Sequence, residues 1–347
     1  MHKLFFIGLM LCSVHVGGAQ KSIKKVLANT TGPLKETLRW HVQDGQGNKG
    51  HLPVAIIKGK TDGPVFTVVA GVHGFEYPPI VAVQELMREI KPEALSGTIL
   101  CVPIANTASF YTRTPFINPQ DGTNLNGAFP GDSVGTITQR LAHLITKKVI
   151  PESDVFLDVH GGDANEDLLP FVCYYNNKNR PERTQMAELL AQASGFEYIV
   201  SYPYTLKDDD PAKYVFKQAV QDGKTALSIE CGKLGNVQEE AVVLIKKGIY
   251  NMLHQMEMYD APTMPKPKRI RLNHQTYIRS NEKGIFYSDH KAGDAVKQGD
   301  VVGYTTDEFG ERIAEYRAPS GGIILYKIAT PPINVGDTVM CISTNLE

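Results

Sequence analysis

Between residues 52 and 258, short apolar runs alternate with longer amphipathic stretches. The runs at 52–57, 64–72, 98–103, 154–159, 169–175, 198–201 and 225–229 have the length and apolar continuity of strands. The stretches at 79–90, 137–149, 183–193, 212–221 and 238–258 carry apolar residues at helical spacing. Strands alternating with helices predict an α/β architecture, a sheet with helices packed on it. Thr136 followed three residues later by Gln139 is a capping box, so the start of the helix at 137 is well specified. Helical period stops at residues 260–269, which hold Pro262, Pro265 and Pro267 and read as a linker. Beyond it, short β-runs follow Gly-Asp turns at Gly293-Asp294, Gly299-Asp300 and Gly336-Asp337, which predicts a small all-β domain over 270–347.

The N-terminus follows another pattern. His2 and Lys3 precede an apolar run at 4–11, and the small residues Gly17, Gly18 and Ala19 follow. This predicts a signal peptide over 1–19, cleaved near Ala19, and an exported, periplasmic or secreted mature protein. The apolar run is too short to span a bilayer, and no later run reaches the ~18 apolar residues that a spanning helix needs, so membrane insertion is not expected. Residues 20–259 are left as the α/β domain.

Composition changes this picture little. With 42% hydrophobic and 21% charged residues the chain is an ordinary globular one, which excludes disorder. Lys and Arg (36) balance Asp and Glu (37), so no overall field favours nucleic acid, and no nucleic-acid partner is expected. Past the signal the cysteines are Cys101, Cys173, Cys231 and Cys341. None forms a CxxC pair and three lie in apolar runs, so buried free thiols are expected despite export.

The chemistry concentrates where strands end. The run at 64–72 leads into Gly71-Val72-His73-Gly74-Phe75-Glu76, which sets His73 and Glu76 three residues apart, a spacing at which both can share one cation. The run at 154–159 delivers His160 before Gly161-Gly162, a turn that backbone and ligand can approach closely. Carboxyl ends of strands are where open α/β sheets bind ligands. Two histidines and one carboxylate with an open fourth position are the ligand set of a catalytic zinc, one ion per chain, which lowers the pKa of a coordinated water to about 7. The run at 225–229 delivers Glu230, placed to act as general base towards that water. Asp158, two residues before His160 on the same strand face, is placed to accept the free ring N–H of a ligand histidine.

These segments, in order, resemble a known family. GVHGFE (71–76), RTPFINPQDGTNLNGAFPG (113–131), DVHGG (158–162) and IECG (229–232) are similar to the succinylglutamate desuccinylase/aspartoacylase family, relatives of the zinc carboxypeptidases. The resemblance implies a zinc-carboxypeptidase-like mixed sheet flanked by helices, followed by a small C-terminal barrel-like β-domain. It implies zinc ligation by His73, Glu76 and His160, catalysis by Glu230, and hydrolysis of the amide of an N-acyl amino acid or related small substrate. It also places Asn126 among the residues that orient substrate.

One position departs from the family. The usual Asn-Leu-Asn-Arg before Phe-Pro-Gly is here Asn124-Leu125-Asn126-Gly127, and glycine cannot clamp a carboxylate. A charge-assisted bond contributes about 1.5–3 kcal/mol, so carboxylate binding weakens unless another cation serves. Arg113 is the candidate, either for a substrate carboxylate or for the scissile carbonyl.

Three rival readings compete. Gly131-Asp132-Ser133-Val134-Gly135 matches the G-x-S-x-G elbow, but no strand leads into it. A zinc carboxypeptidase on short peptides would use the same ligands but needs a cation for the peptide carboxylate. A catalytically inactive binding protein on this scaffold would be expected to have lost at least one of the four residues. The oligomeric state, homo-oligomer or monomer, is left open by the sequence.

Overall fold

The computed structural model describes residues 21–261 and 268–346. The expected signal segment and the middle of the proline-rich linker lie outside them. Helix α1 (Ile23–Ala28) precedes strands β1 (Leu34–Gln43), β2 (Lys49–Lys58) and β3 (Thr61–Ala70). Helix α2 (Tyr77–Glu89), strand β4 (Ser96–Val102) and helix α3 (Thr107–Thr112) come next, then a small ribbon of β5 (Ile117–Asn118) and β6 (Thr123–Asn124). Helix α4 (Ile137–Leu144) leads to β7 (Val155–His160), β8 (Glu166–Leu168) and β9 (Phe171–Asn176). The remaining elements of this half are α5 (Pro181–Ala193), β10 (Tyr198–Pro203), α6 (Val215–Gln221), β11 (Thr225–Glu230), α7 (Glu239–Gln255) and β12 (Ile270–Leu272).

Nine strands form one mixed sheet in the order β1-β2-β4-β3-β7-β11-β9-β10-β12. At its centre β4, β3, β7 and β11 are parallel, with antiparallel joints to β2 and β9 on either side. Parallel strands are covered on both faces, so their apolar residues run continuously. Neighbouring residues therefore serve opposite cores: Ile56, Val69, Leu100 and Phe156 face Leu141, Ile145 and Phe216. Ile57, Val68, Ile99 and Leu157 face Leu86, Leu190 and Ile249. The result is the α/β sandwich that the alternating pattern predicted.

Some elements differ from the sequence expectation. Strand β1 was not expected: only Leu38 and Trp40 are buried along it, and an edge strand with one wet face keeps many polar residues. The helix expected at 212 starts at Val215, because Lys213 takes a left-handed conformation (φ 67°) that a helix cannot continue through. The helix expected over 137–149 passes after Leu144 into a π-turn over Ile145–Val149. The capping box is present, Thr136 N–H donating to Gln139 Oε1 at 2.9 Å.

Past β12 the chain forms two sheets. One contains His274–Arg279, Thr338–Thr344, Gly322–Ile328 and Ala295–Val296. The other contains Arg312–Arg317, Val301–Thr306, Gly284–Tyr287 and Pro332–Ile333. They share a core that includes Phe286, Val302, Ile324 and Met340. The halves exchange strands: β8 pairs with Gly322–Ile328, and β12 extends the large sheet beside β10. Cys101, Cys173, Cys231 and Cys341 are all buried and free.

Candidate active site

Three parallel strands bring the candidate residues together at their carboxyl ends. β3 runs into the turn that holds His73 and Glu76, and β7 and β11 end in register with His160 opposite Glu230. Glycines let the connecting turns pack closely. A Cβ on Gly74 would lie 2.1 Å from the Phe110 nitrogen, and the Gly74 N–H donates to Ser109 Oγ, so α3 presses directly on the turn between His73 and Glu76. Gly232, just past Glu230, has φ +105° and meets Pro78 of α2.

His73 Nδ1 lies 2.7 Å from Glu76 Oε1, and His160 Nδ1 lies 2.9 Å from Glu76 Oε2. The three ligand atoms lie within 4.8 Å of one another. Each ring turns its other nitrogen to an oxygen acceptor: His160 Nε2 to Asp158 Oδ2 at 2.9 Å, and His73 Nε2 to Asn124 Oδ1 at 3.1 Å. Acceptors at both Nε2 atoms favour the tautomer with hydrogen on Nε2, which leaves both Nδ1 lone pairs directed at the Glu76 carboxylate. Two imidazole nitrogens and a carboxylate oxygen are a donor set that suits a borderline cation such as Zn²⁺.

Burial opposes the charge on Glu76, but His160 and His73 outweigh it and hold the carboxyl down to about 2. Burial likewise opposes protonation of His160, yet Asp158 and then Glu76 raise its pKa well above the usual histidine value. Around this cluster stand further carboxyls. Glu230 is pushed up to about 8, chiefly by burial, with His160 pulling the other way. Glu166 is pushed up to about 7, again chiefly by burial. Asp163 is raised by burial and then by Glu76. The raised histidine pKa values put protons between the rings and Glu76, the positions that a divalent cation at the two Nδ1 atoms would take.

The other expected residues are placed as follows. Glu230 terminates β11 and accepts from Ser228 Oγ at 3.3 Å. Arg113 caps α3 in a left-handed conformation (φ 55°) and is exposed, its guanidinium acting on the Tyr77 phenol. Among the described residues the Arg113 side chain has no hydrogen bond or ion pair. Asn126 Oδ1 accepts from Val215 N–H, the first residue of α6, at 3.3 Å. Gly127 is exposed, and a Cβ there would touch nothing within 4 Å. Ser133 is an exposed loop residue ahead of α4, with no strand leading into it.

Three residues at the site were not singled out from sequence. Asn124 both holds His73 and accepts the Asn126 N–H at 2.8 Å. Asp163 accepts the backbone N–H groups of Phe116 and Ala164, tying the 113–127 segment to the turn after β7. Glu166 Oε2 accepts the Asp163 N–H at 3.0 Å. Asn124 lies in the quoted 113–131 segment, and Asp163 and Glu166 directly follow DVHGG, but spacing alone carries no sign of their contacts.

Comparison with known proteins bears on this geometry. The family model of the succinylglutamate desuccinylase/aspartoacylase catalytic domain matches residues 62–256. The N-alpha-acetyl-L-2,4-diaminobutyric acid deacetylase of Halomonas elongata is 30% identical over 303 residues, 85% of this chain and 86% of that protein. A crystal structure of a succinylglutamate desuccinylase from Silicibacter sp. TM1040 superposes with a TM-score of 0.80 at 25% identity, covering 91% of this chain and 96% of that one. The product-bound ectoine utilization protein EutE (DoeB) of Ruegeria pomeroyi shares the fold with a TM-score of 0.81 at 23% identity, covering 91% and 97%. The mixed sheet, the strand-rich C-terminal region and the matched catalytic segment together show that the chain belongs to the succinylglutamate desuccinylase/aspartoacylase family.

Proposed function

We propose that this protein is an exported, zinc-dependent deacylase that hydrolyses the amide bond of an N-acyl amino acid or a related small substrate. One Zn²⁺ per chain would be held by His73, Glu76 and His160. The observation that carries the reading is the orientation of both imidazoles, Nδ1 inward to Glu76 and Nε2 outward to Asp158 and Asn124. The deacetylase activity named for the Halomonas elongata relative supports amide hydrolysis over other chemistry. The N-terminal pattern of residues 1–19 supports export.

When bound, zinc supplies Lewis-acid activation of water and of the amide carbonyl. The chain's own residues do the rest. Glu230 takes a proton from the attacking water and returns it to the leaving nitrogen. A carboxyl raised by burial towards neutrality is suited to moving a proton in both directions. Asp158 holds the His160 ring in one tautomer, and Asn124 does the same for His73. Arg113, whose side chain has no hydrogen bond or ion pair among the described residues, would stabilise negative charge developing on the carbonyl oxygen or bind a substrate carboxylate. Asn126 spends its oxygen on α6 and keeps its amide N–H groups for orienting substrate. Residues 20–259 would form the catalytic unit, with the 270–347 region shaping access to it.

Product analysis with the purified mature protein tests the reading. Equimolar acyl acid and free amine, lost with chelator and restored by zinc, is the expected result. Amino acids released stepwise from short peptides, with no acyl acid, would make it a carboxypeptidase instead.

A further inference from the structure

Two residues that are not glycine take left-handed conformations within one short turn, Arg113 at φ 55° and Phe116 at φ 59°. A bulky side chain is strained there, and strain of this kind collects at functional sites and persists only where the surroundings hold it. For Phe116 the holding group is the Asp163 carboxylate. Its Oδ2 accepts the Phe116 N–H at 2.9 Å, and its Oδ1 accepts the Ala164 N–H at 2.6 Å. Asp163 is fully buried and is itself fixed by Glu166, which accepts the Asp163 N–H on its side chain and donates its own N–H to the Asp163 carbonyl oxygen.

The held turn reaches the histidine cluster by two routes. The Phe116 ring meets the His73 ring edge to face, with centroids 5.7 Å apart and planes at 75°. The next residue, Ile117, pairs across the β5–β6 ribbon with Asn124, whose Oδ1 lies 3.1 Å from His73 Nε2. Asp163 itself follows His160 by three residues. One carboxylate therefore links the turn after His160 to both neighbours that support His73, although the two histidines come from different strands. Both Asp163 oxygens are spent on backbone N–H groups, so the residue acts through the turn and not as a ligand.

We propose that Asp163 is a positioning residue of the metal site: it pins Phe116 in its left-handed conformation, and the pinned turn holds the His73 imidazole at the angle that directs Nδ1 to the cation. The inference rests on the zinc site proposed above.

The test reads zinc affinity of the purified protein by competition with a chromogenic chelator. Asp163→Ala should weaken zinc about tenfold, the low end of what loss of a supporting bond around a metal ligand costs. Asp163→Asn loses the charge but keeps an oxygen acceptor for Phe116, and should stay within about threefold of wild type. Asn124→Ala should cost about as much as Asp163→Ala, and the double variant no more than about threefold beyond either, because both act through His73. Glycine adopts positive φ freely, so in a Phe116→Gly background Asp163→Ala should cost less than about threefold. That background carries the comparison if Asp163→Ala alone does not fold. Wild-type affinity in Asp163→Ala, an equal loss in Asp163→Asn, independent multiplication with Asn124→Ala, or an undiminished loss in the Phe116→Gly background each overturns the assignment while leaving the zinc site intact. A wild-type protein that takes up no zinc overturns the metal reading and this inference together.

Discussion

Asp158 and His160, two residues apart on β7, are joined by a 2.9 Å bond from the ring Nε2–H to Oδ2, and this bond turns Nδ1 towards Glu76. Alternation along the strand places both on one face, and complete burial of β7 fixes their orientation. Replacing a carboxylate that orients a metal-bound histidine typically costs 10–100-fold in metal affinity or activity. Asp158→Asn should therefore weaken zinc binding by about that factor, read by competition with a chromogenic chelator. Wild-type affinity in this variant would leave Asp158 as a structural hydrogen-bond partner only.

Removal of a ligand has a larger effect. His73→Ala leaves one histidine and one carboxylate, too few donors for a catalytic zinc site. The purified variant should contain far less than one zinc per chain by elemental analysis, and its deacylase activity should be lost. Stoichiometric zinc in the variant would refute the ligand assignment.

Glu230 makes a prediction about pH. Burial raises its carboxyl to about 8 against the pull of His160, so below that pH the group is mostly protonated and cannot accept a proton. kcat/KM should rise with pH as the carboxyl ionises, then level off. A bound cation attracts the ionised form and moves this limb to lower pH. Glu230→Gln should retain zinc, lower kcat by about 10²–10⁴ and abolish the limb. The same acid limb surviving in the variant would point to another base.

Gly127 offers a gain-of-function test. Its position is exposed and open and its φ is not left-handed, so Gly127→Arg should change stability by no more than ~0.5 kcal/mol. A guanidinium there would add a charge-assisted bond to a substrate carboxylate, raising kcat/KM for an N-acyl amino acid about tenfold or more. An unchanged kcat/KM would show that the substrate carboxylate, if there is one, does not reach this loop.

Much of the fold is legible because it is local. The strands at 154–159 and 225–229 and the helix cap at Thr136 follow from apolar continuity and one reciprocal hydrogen-bond pattern, both written within a few residues. Strand β1 is not legible in this way. Its polar residues face water, and it is a strand only because β2 pairs with it along ten residues. The short β8 is likewise defined by its partner, a strand more than 150 residues further on.

The site divides along the same line. Side-chain chemistry and spacing pointed to His73, Glu76 and His160 as one cluster with Asp158 and Glu230 beside it, and the structure brings these side chains together because strand ends in an α/β sheet converge. The sequence by itself also determined the absence of an arginine at Gly127. Only the tertiary structure decided that Asn124 holds His73, that Asp163 ties the 113–127 segment to the turn after β7, and that Arg113 is exposed at the end of α3, close enough to act on the Tyr77 phenol. Those contacts join segments that are far apart in the chain. They depend on sheet order and on close packing at Gly74, neither of which leaves a periodic trace in the sequence.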